Sequence, residues 1–149
     1  MDSRNAWAMT TAIDTNVIVA LWDRDSALSL AVQSALDAAL GRGTMVIAAI
    51  VFAELMAAPS RSEGFLDSFF RETGINIDWT LDEVVWRAAG RAFQTYAARR
   101  RKQRDPGPRR ILADFLIGAH ALEGGYRLLT LDDHLYRATF PDLNVIRVS

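Results

Sequence analysis

The chain of 149 residues has no cysteine, one lysine and two histidines. Without cysteine there is no disulfide framework, no thiolate metal site and no cysteine nucleophile. The absence also agrees with a reducing compartment. The two histidines, His120 and His134, leave little basis for histidine-driven acid–base catalysis. His120 sits on an apolar helix and reads as a core or interface residue, His134 as a surface one. Long apolar runs are missing too. The longest, Met45 to Ala53, has nine residues, whereas a bilayer span needs about 20. Residues up to Thr11 include Asp2, Arg4 and Asn5 but no apolar h-region, so no secretory signal is expected. The expected location is the cytoplasm, with no membrane contact. Net charge is almost absent as well: −1 overall. That argues against a protein that grips nucleic acid with its whole surface.

What is present reads as one domain over residues 1–149, with 1–9 as a disordered extension. Half the residues are hydrophobic and 23% are charged, as in an ordinary globular protein. Short buried-strand patterns occur at Thr11–Ile13, Thr44–Ala48, Ile75–Trp79, Tyr126–Thr130 and Leu143–Val148. Helical patterns lie between them. Ser26 is a plausible N-cap, and Thr80 with Glu83 has capping-box spacing before a long helix. A helix from about Ile111 to Glu123 ends at Gly124 and Gly125. Strands separated by helices imply parallel pairing and an α/β sandwich.

In an open parallel sheet, ligands sit beyond the carboxyl ends of the strands. The acids that fall there are Asp14 after the first strand, Glu54 after the second, and Asp132 with Asp133 after the fourth. Asp114 opens a later helix. Glu54 stands among Val51, Phe52, Leu55 and Met56, an apolar setting in which a carboxylate is unusual. Each of the others alone could be a helix cap or a dipole partner. If they converge, their mutual repulsion favours a hard divalent cation. Carboxylate oxygens suit Mg²⁺ or Mn²⁺, which keep several waters. Such a site suits phosphodiester hydrolysis by metal-activated water. Spacing alone leaves both readings open.

At these residues the sequence resembles the PIN-domain nucleases, and among them the VapC-type toxins of bacterial toxin–antitoxin pairs. The resemblance runs through Ala12–Leu21 (AIDTNVIVAL), Val51–Leu55 (VFAEL), Ile111–Ala121 (ILADFLIGAHA) and Leu128–Asp132 (LLTLD), continuing through Tyr136 and Phe140–Leu143. It implies a PIN-like three-layer sandwich with a mostly parallel sheet of four or five strands flanked by helices. It also implies a Mg²⁺- or Mn²⁺-dependent endoribonuclease, with Asp14, Glu54, Asp114 and Asp132 in the acidic positions. Asp14, Asp114 and Asp132 would hold metal. Glu54 would act through water. Asn16 and Thr130 would support the carboxylates, with Asp133 as an auxiliary position. A cognate antitoxin and a homodimer follow from the same resemblance. The alternatives are a PIN nuclease that processes RNA without a toxin role, and a non-catalytic RNA- or protein-binding module. A signalling receiver domain also carries acids at strand ends. It needs a lysine at a late strand end, and Lys102 lies elsewhere.

The near-zero charge is a sum of unlike parts. Residues 87–110 hold nine basic residues and one acid, +8, while the other 125 carry 8 basic and 17 acidic residues, −9. Arg99, Arg100, Arg101, Lys102, Arg104, Arg109 and Arg110 form its densest part. They read either as a solvated helix end or as a grip for the RNA backbone. Sixteen of the 17 basic residues are arginine, whose fork engages phosphate bidentately.

Overall fold

Continuous apolar character in the inner strands predicts burial on both sheet faces. The computed structural model describes residues 10–24, 26–104 and 111–149. In chain order the elements are β1 (Thr11–Ile13), α1 (Thr15–Trp22), α2 (Ala27–Arg42), β2 (Met45–Ala48), α3 (Ala49–Met56), α4 (Glu63–Thr73), β3 (Asn76–Asp78), α5 (Glu83–Gln103), α6 (Leu112–Gly124), β4 (Arg127–Thr130), α7 (Asp133–Thr139) and β5 (Val145–Arg147). The five strands form one sheet in the order β3-β2-β1-β4-β5, every pair parallel. Ala12 of β1 lies opposite Val46 on one side and Leu128 on the other. β1 and β2 are buried throughout, whereas the edge strands β3 and β5 are partly exposed. The expected sandwich is therefore present, with all five strands parallel rather than mostly so.

The order has a functional consequence. From β1 the chain moves outward through β2 to β3, then crosses back to β4 on the opposite flank. The switch between the two directions lies between β1 and β4. Crevices of open α/β sheets form at such points.

Local chemistry sets several helix ends. The Ser26 hydroxyl accepts from Leu28 N at 3.0 Å, and Ser62 accepts from Phe65 N at 3.1 Å. Gly74 and Gly125 end α4 and α6 in the left-handed region at φ 73° and 72°. The expected cap at Thr80 is not used. Asp78 Oδ1 accepts the Thr80 N–H at 3.2 Å and holds the chain in a turn, so α5 starts at Glu83 with Asp82 as its N-cap. Asp82 caps through its backbone carbonyl, which accepts from Val85 N and Trp86 N.

The core runs along both sheet faces, with Ile13, Ile47, Leu55, Leu66, Phe115, Leu116 and Leu129 fully enclosed. α6 is buried on every side from Phe115 to Ala121, which marks it as the central helix. Gly118 is required there, because a Cβ would run into the Phe140 ring. Trp22 meets Phe65 and Phe69 edge-on, with centroids 5.4 and 5.3 Å away. Trp79 is 63% exposed, so it lies outside the core. Among the described residues, no helix is long and apolar enough to cross a membrane.

Candidate active site

Asp14 and Asp132 occupy the N-cap positions of α1 and α7, yet neither carboxylate makes a capping bond. The side chains are turned to other uses. Asp14 is 5% exposed, and its Oδ2 accepts from Thr130 Oγ1 at 2.8 Å and Tyr136 OH at 3.0 Å. Those donors stand 116 and 122 residues away along the chain. The β1–β4 pairing brings Thr130 alongside, and α7 delivers Tyr136.

Thr130 is the hub. Its hydroxyl donates to Asp14 and accepts the Asp132 N–H at 3.1 Å and Asn16 Nδ2 at 3.4 Å. One donor and two lone pairs are then all engaged. Asn16 closes the loop by accepting Leu131 N–H at its Oδ1, 3.2 Å away. The backbone leading into Asp132 is thereby tied to the residue that fixes Asp14. On the other side, Thr15 Oγ1 donates to Glu54 Oε1 at 2.6 Å. α1 thus orients the carboxylate presented by α3. Asp114 stands in the first turn of α6.

These elements enclose a cleft of about 510 Å³, lined by Asp14, Glu54, Asp114 and Asp132 together with Thr15, Asn16 and Tyr136. Three carboxylates from helix starts and one from the last turn of α3 therefore face one space. Burial pushes the Asp14 carboxyl up to about 6 from its ordinary 3.8, and the Asp114 charge pushes in the same direction. The bonds from Thr130 and Tyr136 and the Thr15 N–H oppose that rise. Burial, with the surrounding carboxylates of Asp14, Asp114 and Glu54, raises the Tyr136 phenol far beyond its ordinary value. Tyr136 therefore stays protonated and remains a donor.

The donor set fits a hard divalent cation. All candidate ligands are carboxylate oxygens, and the buried, charge-crowded Asp14 is where a positive charge would be favoured most. Among the described residues no three acidic or histidine side chains already form a tight cage. An ion that binds few protein ligands and keeps waters suits this spacing better than one needing an all-protein shell.

Other sequence-derived candidates lie elsewhere. Asp133 lies outside the cleft lining. Its Oδ2 accepts from Arg137 Nε at 2.8 Å, and Arg147 Nε is 4.0 Å from Oδ1. These bonds to arginine hold its carboxyl below the ordinary value. Arg137 and Arg147 thus engage Asp133 in an ion pair that joins α7 and β5. His120 is buried and bonded to Asp78 Oδ2 at 2.9 Å, tying α6 to β3. Arg100, Arg101 and Lys102 occupy the last turn of α5 and Arg104 its C-cap, with Arg99 just before them. Arg100 lies over the Tyr96 ring, 5.8 Å from its centroid. The Tyr96 ring packs on Phe115, the residue after Asp114, with centroids 5.3 Å apart. Arg109 and Arg110 fall outside the described residues.

Thr15 and Tyr136 lie within the resembling motifs, but the sequence assigns neither a role in the site. Thr15 follows the first acid directly. Tyr136 lies four residues after Asp132, so one turn of helix separates them.

A family model described as PIN domain matches residues 11–141. Comparison with curated protein sequences gives no match. Among solved structures, the chain is similar to VapBC2 from Rickettsia felis bound to a DNA fragment from their promoter. That match has 19% identity and TM-score 0.69, and covers 94% of this chain and 99% of that one. VapBC-1 from nontypeable Haemophilus influenzae matches at 20% identity and TM-score 0.60, over 93% and 97% of the two chains. A toxin–antitoxin complex from Klebsiella pneumoniae matches at 18% identity and TM-score 0.60, over 93% and 98%.

Proposed function

Since the chain belongs to the PIN-domain family, we propose that it is a metal-dependent endoribonuclease and the toxin of a toxin–antitoxin pair. The observation that carries this reading is the cleft at the β1–β4 switch, where four carboxylates converge around a desolvated Asp14. The similar structures from Rickettsia felis, Haemophilus influenzae and Klebsiella pneumoniae are toxin–antitoxin assemblies, which supports a cognate antitoxin partner. A homodimer is part of the same proposal.

Asp14, Asp114 and Asp132 would hold Mg²⁺ or Mn²⁺. When bound, the ion lowers the pKa of a coordinated water and stabilises charge on the leaving oxygen. The chain's own residues prepare the setting. Thr130 and Tyr136 lock Asp14 in one rotamer, so little reorganisation is needed at reaction. Thr15 holds Glu54 by its Oε1, and the Glu54 carboxylate orients the attacking water and takes up its proton. The basic end of α5, packed next to the start of α6, grips the RNA backbone with cations that salt would screen.

The test is cleavage of purified RNA with and without Mg²⁺, for the parent and for Asp14→Asn. Chelator and the substitution should each reduce cleavage by about 1,000-fold or more. The products should carry 5′-phosphate and 3′-hydroxyl ends, because water attacks phosphorus directly. Cyclic phosphate ends, or full activity in Asp14→Asn, would overturn the mechanism.

A further inference from the structure

A second groove lies on the far side of α7 from the acidic cleft. Leu135 and Tyr136 face the cleft, whereas Ala138, Thr139 and Phe140 face the groove. α7 has seven residues, so the wall between the two spaces is about 10 Å long. α5 forms the opposite rim with Arg91, Thr95 and Arg99, and the cavity measures about 320 Å³.

Arg91, Thr95 and Arg99 recur every four residues, so they share one helix face. The two guanidinium groups start about 12 Å apart along the axis. Both arginines are exposed, and neither guanidinium makes a hydrogen bond or ion pair among the described residues. Arg87, one turn earlier, is already neutralised by Glu83 at 2.8 Å and does not line the groove. The floor is apolar, made by Ala88, Ala92, Leu122 and the buried Phe140 ring seated over Gly118. Thr139 adds a hydroxyl, whereas the Thr95 hydroxyl donates to the Arg91 carbonyl at 3.1 Å. Glu123 contributes one carboxylate at an edge. Two unpaired arginine forks over an apolar floor match a polyanion that also carries flat apolar groups. A single-stranded polynucleotide has that chemistry. The stripe also has a direction. α5 continues from Arg99 into its basic end, beside the α6 turn that carries Asp114.

We infer that the α5–α7 groove is a second RNA subsite, in which Arg91 and Arg99 hold backbone phosphates while the scissile phosphate lies in the acidic cleft. The inference rests on the nuclease reading proposed above, but binding and cleavage separate the two. An oligouridylate of about 16 nucleotides, a length within the range such grooves cover, is titrated by fluorescence anisotropy against the full chain without divalent metal. Arg91→Ala/Arg99→Ala should raise its Kd about tenfold at low salt. The slope of log K against log salt should become shallower by about 1.4, the amount expected for two lost contacts to a single strand. With Mg²⁺, KM for a cleaved RNA should rise while kcat stays unchanged.

Arg71→Ala/Arg87→Ala removes the same charge outside the groove and should change little. Equal weakening by both pairs, or no weakening by the groove pair, overturns the subsite alone. RNA binding without any cleavage overturns the nuclease reading and keeps the subsite. No RNA binding by the parent overturns both. Poly-glutamate binding lost in the groove pair, with RNA binding intact, would assign the groove to an acidic protein segment and overturn the RNA subsite.

Discussion

The acidic cleft and the basic end of α5 carry opposite charge, and they hold it under opposite physical conditions. In the cleft, Asp14 is enclosed and pinned by a hydroxyl, a phenol and a backbone loop that is itself pinned. On α5, Arg99, Arg101, Lys102 and Arg104 are exposed, and Arg100 rests on Tyr96. A buried charge gains position and loses hydration. A solvated charge keeps its hydration and gains only what salt leaves unscreened. Chemistry needs the first arrangement and capture needs the second.

The largest break in this comparison should come from Asp14, through stability. Well below pH 3.8 the carboxyl is protonated in both folded and unfolded chains. Between 3.8 and about 6 the folded chain alone holds the proton, and above that range it carries a buried charge. Stability from this group is therefore full at low pH and is lost as pH rises through about 6. A shift of that size corresponds to a loss on the order of 3 kcal/mol. Metal-free Asp14→Asn should accordingly be more stable than the parent at pH 7.5, with the difference shrinking toward pH 4.5. Denaturant midpoints at the two pH values check this. An Asp14→Asn protein less stable than the parent at pH 7.5 would contradict the burial argument.

The next effect concerns placement. Tyr136→Phe removes one of the two side-chain donors to Asp14 and keeps the ring. It should lower metal affinity or cleavage by about 10- to 100-fold, read as the Mg²⁺ dependence of the rate. Thermal unfolding should change much less. A rate loss that saturating Mg²⁺ does not reduce would show that Tyr136 acts on something other than the carboxylate.

Smaller effects belong to the solvated side. Arg99→Ala/Arg101→Ala should raise KM several-fold at low salt and converge on the parent as salt rises, with kcat unchanged. Smallest of all is Asp133→Asn. It severs the surface pair with Arg137 and should leave kcat and KM as they are. A drop in kcat there would return Asp133 to the site.

Much of this layout is legible in the sequence because burial leaves a compositional mark. The strands around Ile13, Ile47 and Leu129 are apolar runs, and Asp14, Glu54 and Asp132 interrupt such runs or end them. The supporting bonds leave a fainter trace. Thr15 and Tyr136 are ordinary residue types for a helix surface, and only the β1–β4 pairing and the course of α7 give them partners. Thr80 shows the reverse. Its capping-box spacing is real, but Asp78, fixed by the end of β3, competes for the same N–H. Trp79 breaks a compositional rule by facing solvent beside Phe52, with centroids 5.1 Å apart.

The place of β4 in the sheet has a consequence for synthesis. The strand that completes the cleft is an inner strand, paired between β1 and β5, yet it is the fourth of the five along the chain. While a ribosome has made only the first hundred residues, Asp14 and Glu54 exist without Thr130, Tyr136, Asp114 or Asp132. Such a nascent chain lacks two of the four carboxylates that line the cleft, however well its first strands have paired. The four-carboxylate cleft is complete only once α6, β4 and α7 have followed the first three strands.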